Sequence, residues 1–236
     1  MAAEGSEPGW ERATPGDVVG VVIFLVLLAP FARHVTDALA AGDHGSALAG
    51  AAFLGIVTSD FVTGFAHWFC DTFFTEQTPV IGRAVIEPFR EHHRDPLAMT
   101  RRAFLRVSNS NVIGTSVVLA GVWGWRAMRD GAPSVFADAW ITSLGLALWS
   151  TNQLHKWAHV PSVPWGIARL QATRLILHPA HHARHHVPVG GRTFCVTTGW
   201  LNPLLDKARV FERLEWAIRA VASTLLPPSR RAGSST

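Results

Sequence analysis

Charge is scarce in this sequence: only 16% of its 236 residues are charged, against roughly 25% in an ordinary soluble domain. With 48% hydrophobic residues, that shortage excludes a disordered or nucleic-acid-binding tail protein, despite a pI near 10.0. Cysteine is rarer still. Cys70 and Cys195 are too few for a disulfide framework, are too far apart for a Cys-x-x-Cys pair, and are expected to be small apolar packers. The first 17 residues are polar and acidic with no basic region before the first apolar run, so no cleaved signal peptide is expected. The chain carries no internal repeat and no flavin or haem motif.

What the sequence does have is four long, weakly charged stretches, read as spans near 14–32, 46–69, 109–128 and 133–155. None is as apolar as a single-pass anchor, but bundled helices carry polar residues on faces that see protein rather than lipid. The competing reading is a soluble α-protein with Ala- and Gly-rich core helices. The number of stretches argues against it, as do Trp68, Trp123, Trp125 and Trp157 near their ends, where interfacial aromatics belong. The expected fold is an all-α integral membrane protein: a four-helix transmembrane bundle with a cytoplasmic His-rich metal-binding cap and interfacial helices. One domain, 14–226, lies between a polar tail at 1–13 and a disordered tail at 227–236.

Basic residues orient the bundle. Eighteen of the 21 fall on one side of a four-span arrangement, leaving Arg33, Arg126 and Arg129 on the other. The positive-inside rule puts the richer side, with both termini, in the cytoplasm, and the expected location is a bacterial inner membrane. The segment 206–226, with Val210, Leu214, Ile218 and Leu225 among arginines, reads as an interfacial helix on anionic lipid.

Twelve histidines are the unexplained excess, and ten lie on that cytoplasmic side. Nine of the ten form four clusters: His67 with Asp71, the His92–His93 pair, His155 with His159, and the run His181, His182, His185, His186. Residues four apart share a helix face at about 5–6 Å between Cβ atoms, so His155/His159, His181/His185, His182/His186 and His67/Asp71 can each present two ligands to one ion. Two such pairs about 100° apart on one helix can feed two adjacent metals. Imidazole suits zinc, copper, iron and nickel alike. A structural zinc needs only four ligands, so this set suits two five- or six-coordinate ions with open positions better. The bland readings remain beside this one. The pair His92–His93 is a weak signal alone, His34 and His44 read as solvated loop residues, and His178 reads as a local capping residue.

The motifs HWFCD (67–71), PFREHHRDP (88–96), TNQLHKWAH (151–159), HHARHH (181–186) and FCVTTGWLN (194–202) resemble the plasmanylethanolamine desaturase family. That family includes the bacterial carotenoid-regulator CarF and the eukaryotic Kua-type lipid desaturases. The resemblance runs from about residue 61 to 214. It implies two iron ions, O2 as co-substrate, and desaturation between C1 and C2 of the sn-1 O-alkyl chain of an ether phospholipid, giving the vinyl ether of a plasmalogen. The implied metal set is His67, Asp71, His92, His93, His155, His159, His181, His182, His185 and His186. Two electrons must come from outside, from a ferredoxin or a cytochrome b5-like protein drawn to the arginine-rich face.

Metal-bound imidazoles usually donate their other N–H to a carboxylate or carbonyl. Asp60, Glu91 and Asp95 are placed for that role. Asn152 and Gln153 are candidates to orient a ligand or line the lipid's path, with an interhelical hydrogen bond as the alternative. Arg90, Arg94 and Arg184 are candidate phosphate contacts. Two other functions compete: a fatty-acyl desaturase or hydroxylase with the same site, and a zinc-binding membrane regulator without turnover.

Overall fold

The computed structural model describes residues 10–42, 45–130, 132–187 and 192–225. His44, the tail at 227–236 and most of the tail at 1–13 lie outside them. Four long helices dominate: α1 (Pro15–Ala40), α2 (Gly45–Phe73), α4 (Phe104–Ala127) and α5 (Val135–His159). Between α2 and α4 run a π-helical turn (Gly82–Ile86), α3 (Glu87–Arg94) and a 3₁₀ turn (Ala98–Arg101). After α5 come α6 (Trp165–Ala172), α7 (Pro179–His182), α8 (Asn202–Lys207) and α9 (Val210–Leu225). The described residues contain no strand beyond one isolated bridge, Glu11 to Arg102.

A capping box starts α1. The Thr14 hydroxyl accepts the Asp17 amide, while the Asp17 carboxylate receives the Thr14 amide and hydroxyl, each at 2.8 Å. The helix then runs through Pro30 without ending. Its inner face, Val21, Phe24, Leu28 and Phe31, packs with Val112 and Leu119 of α4, yet its outer face (Val18, Val22, Val26) is equally apolar. A helix apolar all round is at home in lipid or in a large core, and this outer face is exposed.

α5 sits at the centre, packed against α1, α2 and α4. Two glycines let it approach closely. A Cβ on Gly55 of α2 would fall 1.9 Å from the Ser143 hydroxyl, and one on Gly145 would meet Leu28 of α1 at 3.0 Å. Because α2 and α5 run parallel through this contact, both deliver a histidine to the same end of the bundle: His67 and His155, with ring centroids 6.1 Å apart.

By length and composition α1 and α2 are long and apolar enough to cross a membrane, two of the four spans expected. At 24 and 25 residues α4 and α5 are long enough, about 36–38 Å at 1.5 Å per residue, but they are more polar. Some of that polarity points inward. Asn111 donates to the Leu148 carbonyl at 3.0 Å, and Asn152 to the Val107 carbonyl at 2.7 Å, tying α4 to α5.

His34 corrects the loop reading. It lies on α1 with Nδ1 2.8 Å from a carboxylate oxygen of Asp138, whose other oxygen is paired with Arg126. Asp138 is only 2% exposed, and a buried carboxylate is tolerable only with such partners.

Candidate metal centre

At the end of the bundle marked by His67 and His155, two groups of ligating side chains meet. One is His92, His155, His159, His182 and His186; the other is His67, Asp71, His93 and His185. Within each group the ligand atoms lie within 4.8 Å of one another. The groups abut, with the rings of His182 and His185 at a centroid separation of 5.8 Å.

Helix geometry accounts for three of the pairs. His155 and His159 share the inner face of α5. His67 and Asp71 share one face of α2, Nε2 to carboxylate 3.5 Å. His182 ends α7 and His186 follows one turn later, their Nε2 atoms 3.0 Å apart. His92 and His93 diverge: neighbours on a helix point about 100° apart, so α3 gives one histidine to each group.

The donor set fits a cation. The Nε2 atoms of His155, His159 and His186 lie 2.8, 2.9 and 3.0 Å from Nε2 of His182. A neutral imidazole nitrogen holds either one proton or one lone pair, so these contacts cannot all be hydrogen bonds. Both ring nitrogens of His92, Nδ1 of His182 and one oxygen of Asp71 are buried without a hydrogen-bond partner among the described residues. Unsatisfied buried polar atoms are costly, and a shared positive ion would satisfy converging lone pairs. Burial, reinforced by neighbouring imidazoles, holds His182 well below the usual histidine range and His185 and His186 down to about 4. They are neutral at physiological pH, as ligation requires.

His185 is also oriented from behind. Its Nδ1 lies 3.1 Å from the Arg192 carbonyl, which makes Nδ1 the donor and leaves the Nε2 lone pair facing His67, at 3.0 Å, and Asp71. None of the three carboxylates expected to support imidazoles does so. Glu91 pairs with Arg102 at 2.8 Å and Asp95 with Arg101 at 2.6 Å. Fully buried Asp60 accepts the amides of Thr198 and Gly199 at 2.9 Å and of Leu201 at 3.1 Å, anchoring that loop to α2. A carboxylate turned to a ring of amides is not available to an imidazole.

His181 stands outside both groups. Its Nε2 is 3.1 Å from the Asn202 side-chain amide and its Nδ1 2.6 Å from the Arg184 guanidinium. His181 and His185 have the same spacing as His182 and His186, but their rings take different partners: Asn202 and Arg184 for His181, His67 and the Arg192 carbonyl for His185. His178 caps α7, its Nδ1 accepting the Ala180 amide. Arg90 donates to the Asp71 and Phe74 carbonyls, both at 2.9 Å, and Arg94 pairs with Glu76. Asn152 makes the interhelical bond described above, and Gln153 is half-buried on α5.

The site also uses residues that chemical type does not flag. Phe194 packs on the rings of His67 and His185 at 6.0 and 5.1 Å. Cys195 fits against Gly64, where a Cβ would lie 2.5 Å from its sulfur. Thr197 joins Thr63 of α2 to Thr151 of α5 through hydroxyl contacts of 3.3 and 2.8 Å. The motif FCVTTGWLN contains them, but nothing in it shows which side chains turn inward.

These features define a helical protein with two helices of membrane-crossing length and composition and, at one end of its bundle, a two-part histidine-rich candidate metal centre. The chain belongs to the lipid desaturase domain family, whose profile matches residues 56–225. It is similar to plasmanylethanolamine desaturase of Myxococcus xanthus, 37% identical over 181 residues, covering 76% of this chain and 63% of that protein. It is also similar to plasmanylethanolamine desaturase 1 of Mus musculus, 35% identical over 173 residues (71% and 63%). A third relative is fatty acid desaturase 4, chloroplastic, of Arabidopsis thaliana, 32% identical over 171 residues (72% and 50%). The chain thus covers 63% of the length of the first two and half of the third. No solved structure matches it.

Proposed function

We propose that this chain is an O2-dependent, di-iron plasmanylethanolamine desaturase that forms the vinyl ether bond of a plasmalogen from a 1-O-alkyl ether phospholipid. The observation that carries this reading is the pair of abutting ligand groups, five imidazoles beside three imidazoles and a carboxylate, in a chain similar to two proteins of that name. Iron bound there would supply the oxidising power for an unactivated C–H bond, which side-chain acid–base chemistry does not reach.

The protein's own residues hold and shape the site. His92, His155, His159, His182 and His186 would hold one ion, and His67, Asp71, His93 and His185 the other. The Arg192 carbonyl fixes the His185 ring, and Phe194 shields two imidazoles from water. α1, α2, α4 and α5 are the spans of this reading, with the histidine cap and both termini facing the cytoplasm of a bacterial inner membrane. α9 lies on the lipid interface through its exposed stripe Leu214, Ile218, Val221 and Leu225. A ferredoxin or cytochrome b5-like donor docks on the basic cytoplasmic face.

Lipid analysis of cells with and without the gene tests the reaction and substrate class together. Acid-labile vinyl ethers should depend on the gene. Unchanged vinyl ethers with altered acyl unsaturation would overturn the reading in favour of a fatty-acyl desaturase.

A further inference from the structure

Beside the metal centre, but outside both ligand groups, lies a cleft of ≈ 200 Å³ lined by Arg174, His178, His181, Thr198, Gly199 and Trp200. Among the described residues no carboxylate lines it. The Arg174 guanidinium makes no hydrogen bond or ion pair with any described residue, although most other arginines near the site are paired within the protein. Its backbone adopts φ +58° and is held there by the Trp200 indole, which donates to the Arg174 carbonyl at 2.6 Å.

Two further linings, His178 and Thr198, offer donors. His178 uses Nδ1 to accept the Ala180 amide at 3.2 Å, which makes Nε2 the N–H donor of its ring. Thr198 accepts the Trp200 amide at 3.2 Å and keeps its hydroxyl proton. Of the two carboxylates that bear on His181, Asp60 is engaged by three amides and Asp206 accepts the Thr193 amide at 3.3 Å. One flank is apolar: Trp200 stacks on exposed Phe53 of α2 at 5.8 Å, and Leu175 is exposed next to Arg174. A cationic, donor-rich cleft with an aromatic wall matches an anion carried on an apolar body.

We infer that this cleft binds the phosphate of the phospholipid substrate, with Arg174 as the charge contact and His178 and Thr198 as hydrogen-bond donors. The substrate identity rests on the ether-lipid reading above; the anion site itself does not. In such a lipid only the glycerol backbone separates the phosphate from the first carbon of the sn-1 chain. A reaction at that carbon therefore needs headgroup recognition close to the metal, and His181 of the cleft directly precedes His182 of the five-histidine group. Arg174 and His178 are thus positioning residues that set substrate register.

The test is equilibrium binding to the purified full-length chain in neutral detergent. The probes are a short-chain 1-O-alkyl glycerophosphoethanolamine, the neutral 1-O-alkylglycerol and inorganic phosphate. Arg174→Asn suits the left-handed backbone while removing the charge. It and His178→Asn, which keeps a capping acceptor at the start of α7, should each weaken phospholipid binding about tenfold or more, leaving alkylglycerol binding and unfolding temperature unchanged. Arg174→Lys should restore part of the loss. Wild-type phospholipid binding in both variants overturns the cleft assignment. Inorganic phosphate binding as tightly as the lipid overturns the lipid assignment in favour of a free-anion site. Binding needs no turnover, so Arg174-dependent binding without any gene-dependent vinyl ether would leave the cleft standing and remove the proposed reaction. Vinyl ether formation by Arg174→Asn with unchanged KM would do the reverse.

Discussion

Gly55 of α2 and Ser143 of α5 meet with no room for a side chain: a Cβ at position 55 would stand 1.9 Å from the Ser143 hydroxyl oxygen and 2.7 Å from the Trp140 carbonyl. Twelve residues further along each of these parallel helices come His67 and His155. The crossing therefore sets the distance between the two ligand groups.

Gly55→Val should force α2 and α5 apart, lower stability by about 1–3 kcal/mol and reduce metal loading, because overpacked contacts shift backbone. Gly50→Ala, on the same helix with nothing within 4 Å, is the control and should stay within about 0.5 kcal/mol. Thermal unfolding and metal analysis of both variants decide the matter. Normal loading in Gly55→Val would refute the role of the crossing.

Ligand loss should be selective. Anaerobic Fe(II) loading should give two ions per chain in the wild type and one in either His182→Ala or His185→Ala, since each side chain belongs to a different group. His181→Gln should keep two, because that ring faces Asn202 and Arg184. Two ions in both alanine variants would disprove the partition.

Acid should destabilise the metal-stripped protein within a defined window. Burial holds His185 and His186 down to about 4, whereas an unfolded chain's histidines titrate near ~6.5. Between these values the unfolded state binds protons that the folded state does not. Stability is thus full above pH ~6.5 and falls as the pH drops toward 4. Denaturant titrations across this range should show the slope, and His186→Gln should flatten it.

Asp60→Asn should loosen the loop that flanks the cleft. The substitution turns an acceptor toward three amide donors into a partial donor, and each hydrogen bond to a charged group contributes about 1.5–3 kcal/mol. Faster hydrogen exchange is expected at Thr198, Gly199 and Leu201, with α1 unaffected. Unchanged exchange at those amides would show that Asp60 is not the anchor.

Regular helices made much of this legible in advance. The start of α1 near residue 14 rests on span length alone; the Thr14–Asp17 capping box, a local interaction, is absent from that reading although both residues stand in the sequence. His155/His159 and His67/Asp71 are readable as same-face pairs because a 3.6-residue repeat relates them whatever surrounds the helix. The spans read near 109–128 and 133–155 leave out Phe104–Ser108 of α4 and Lys156–His159 of α5, because Arg106, Lys156 and His159 interrupt the apolar signal before the helices end.

The sequence alone thus determined helices, their apolar faces and the gathering of histidines near helix ends, all consequences of short-range periodicity. Only the tertiary structure decided how those histidines divide. It separates His92 from His93, removes His181 to Asn202, turns Asp60 to a loop far along the chain and pairs His34 with Asp138. Each of these depends on contacts between distant segments, such as the glycine crossing of α2 and α5, and local spacing carries no information about which partner will be there.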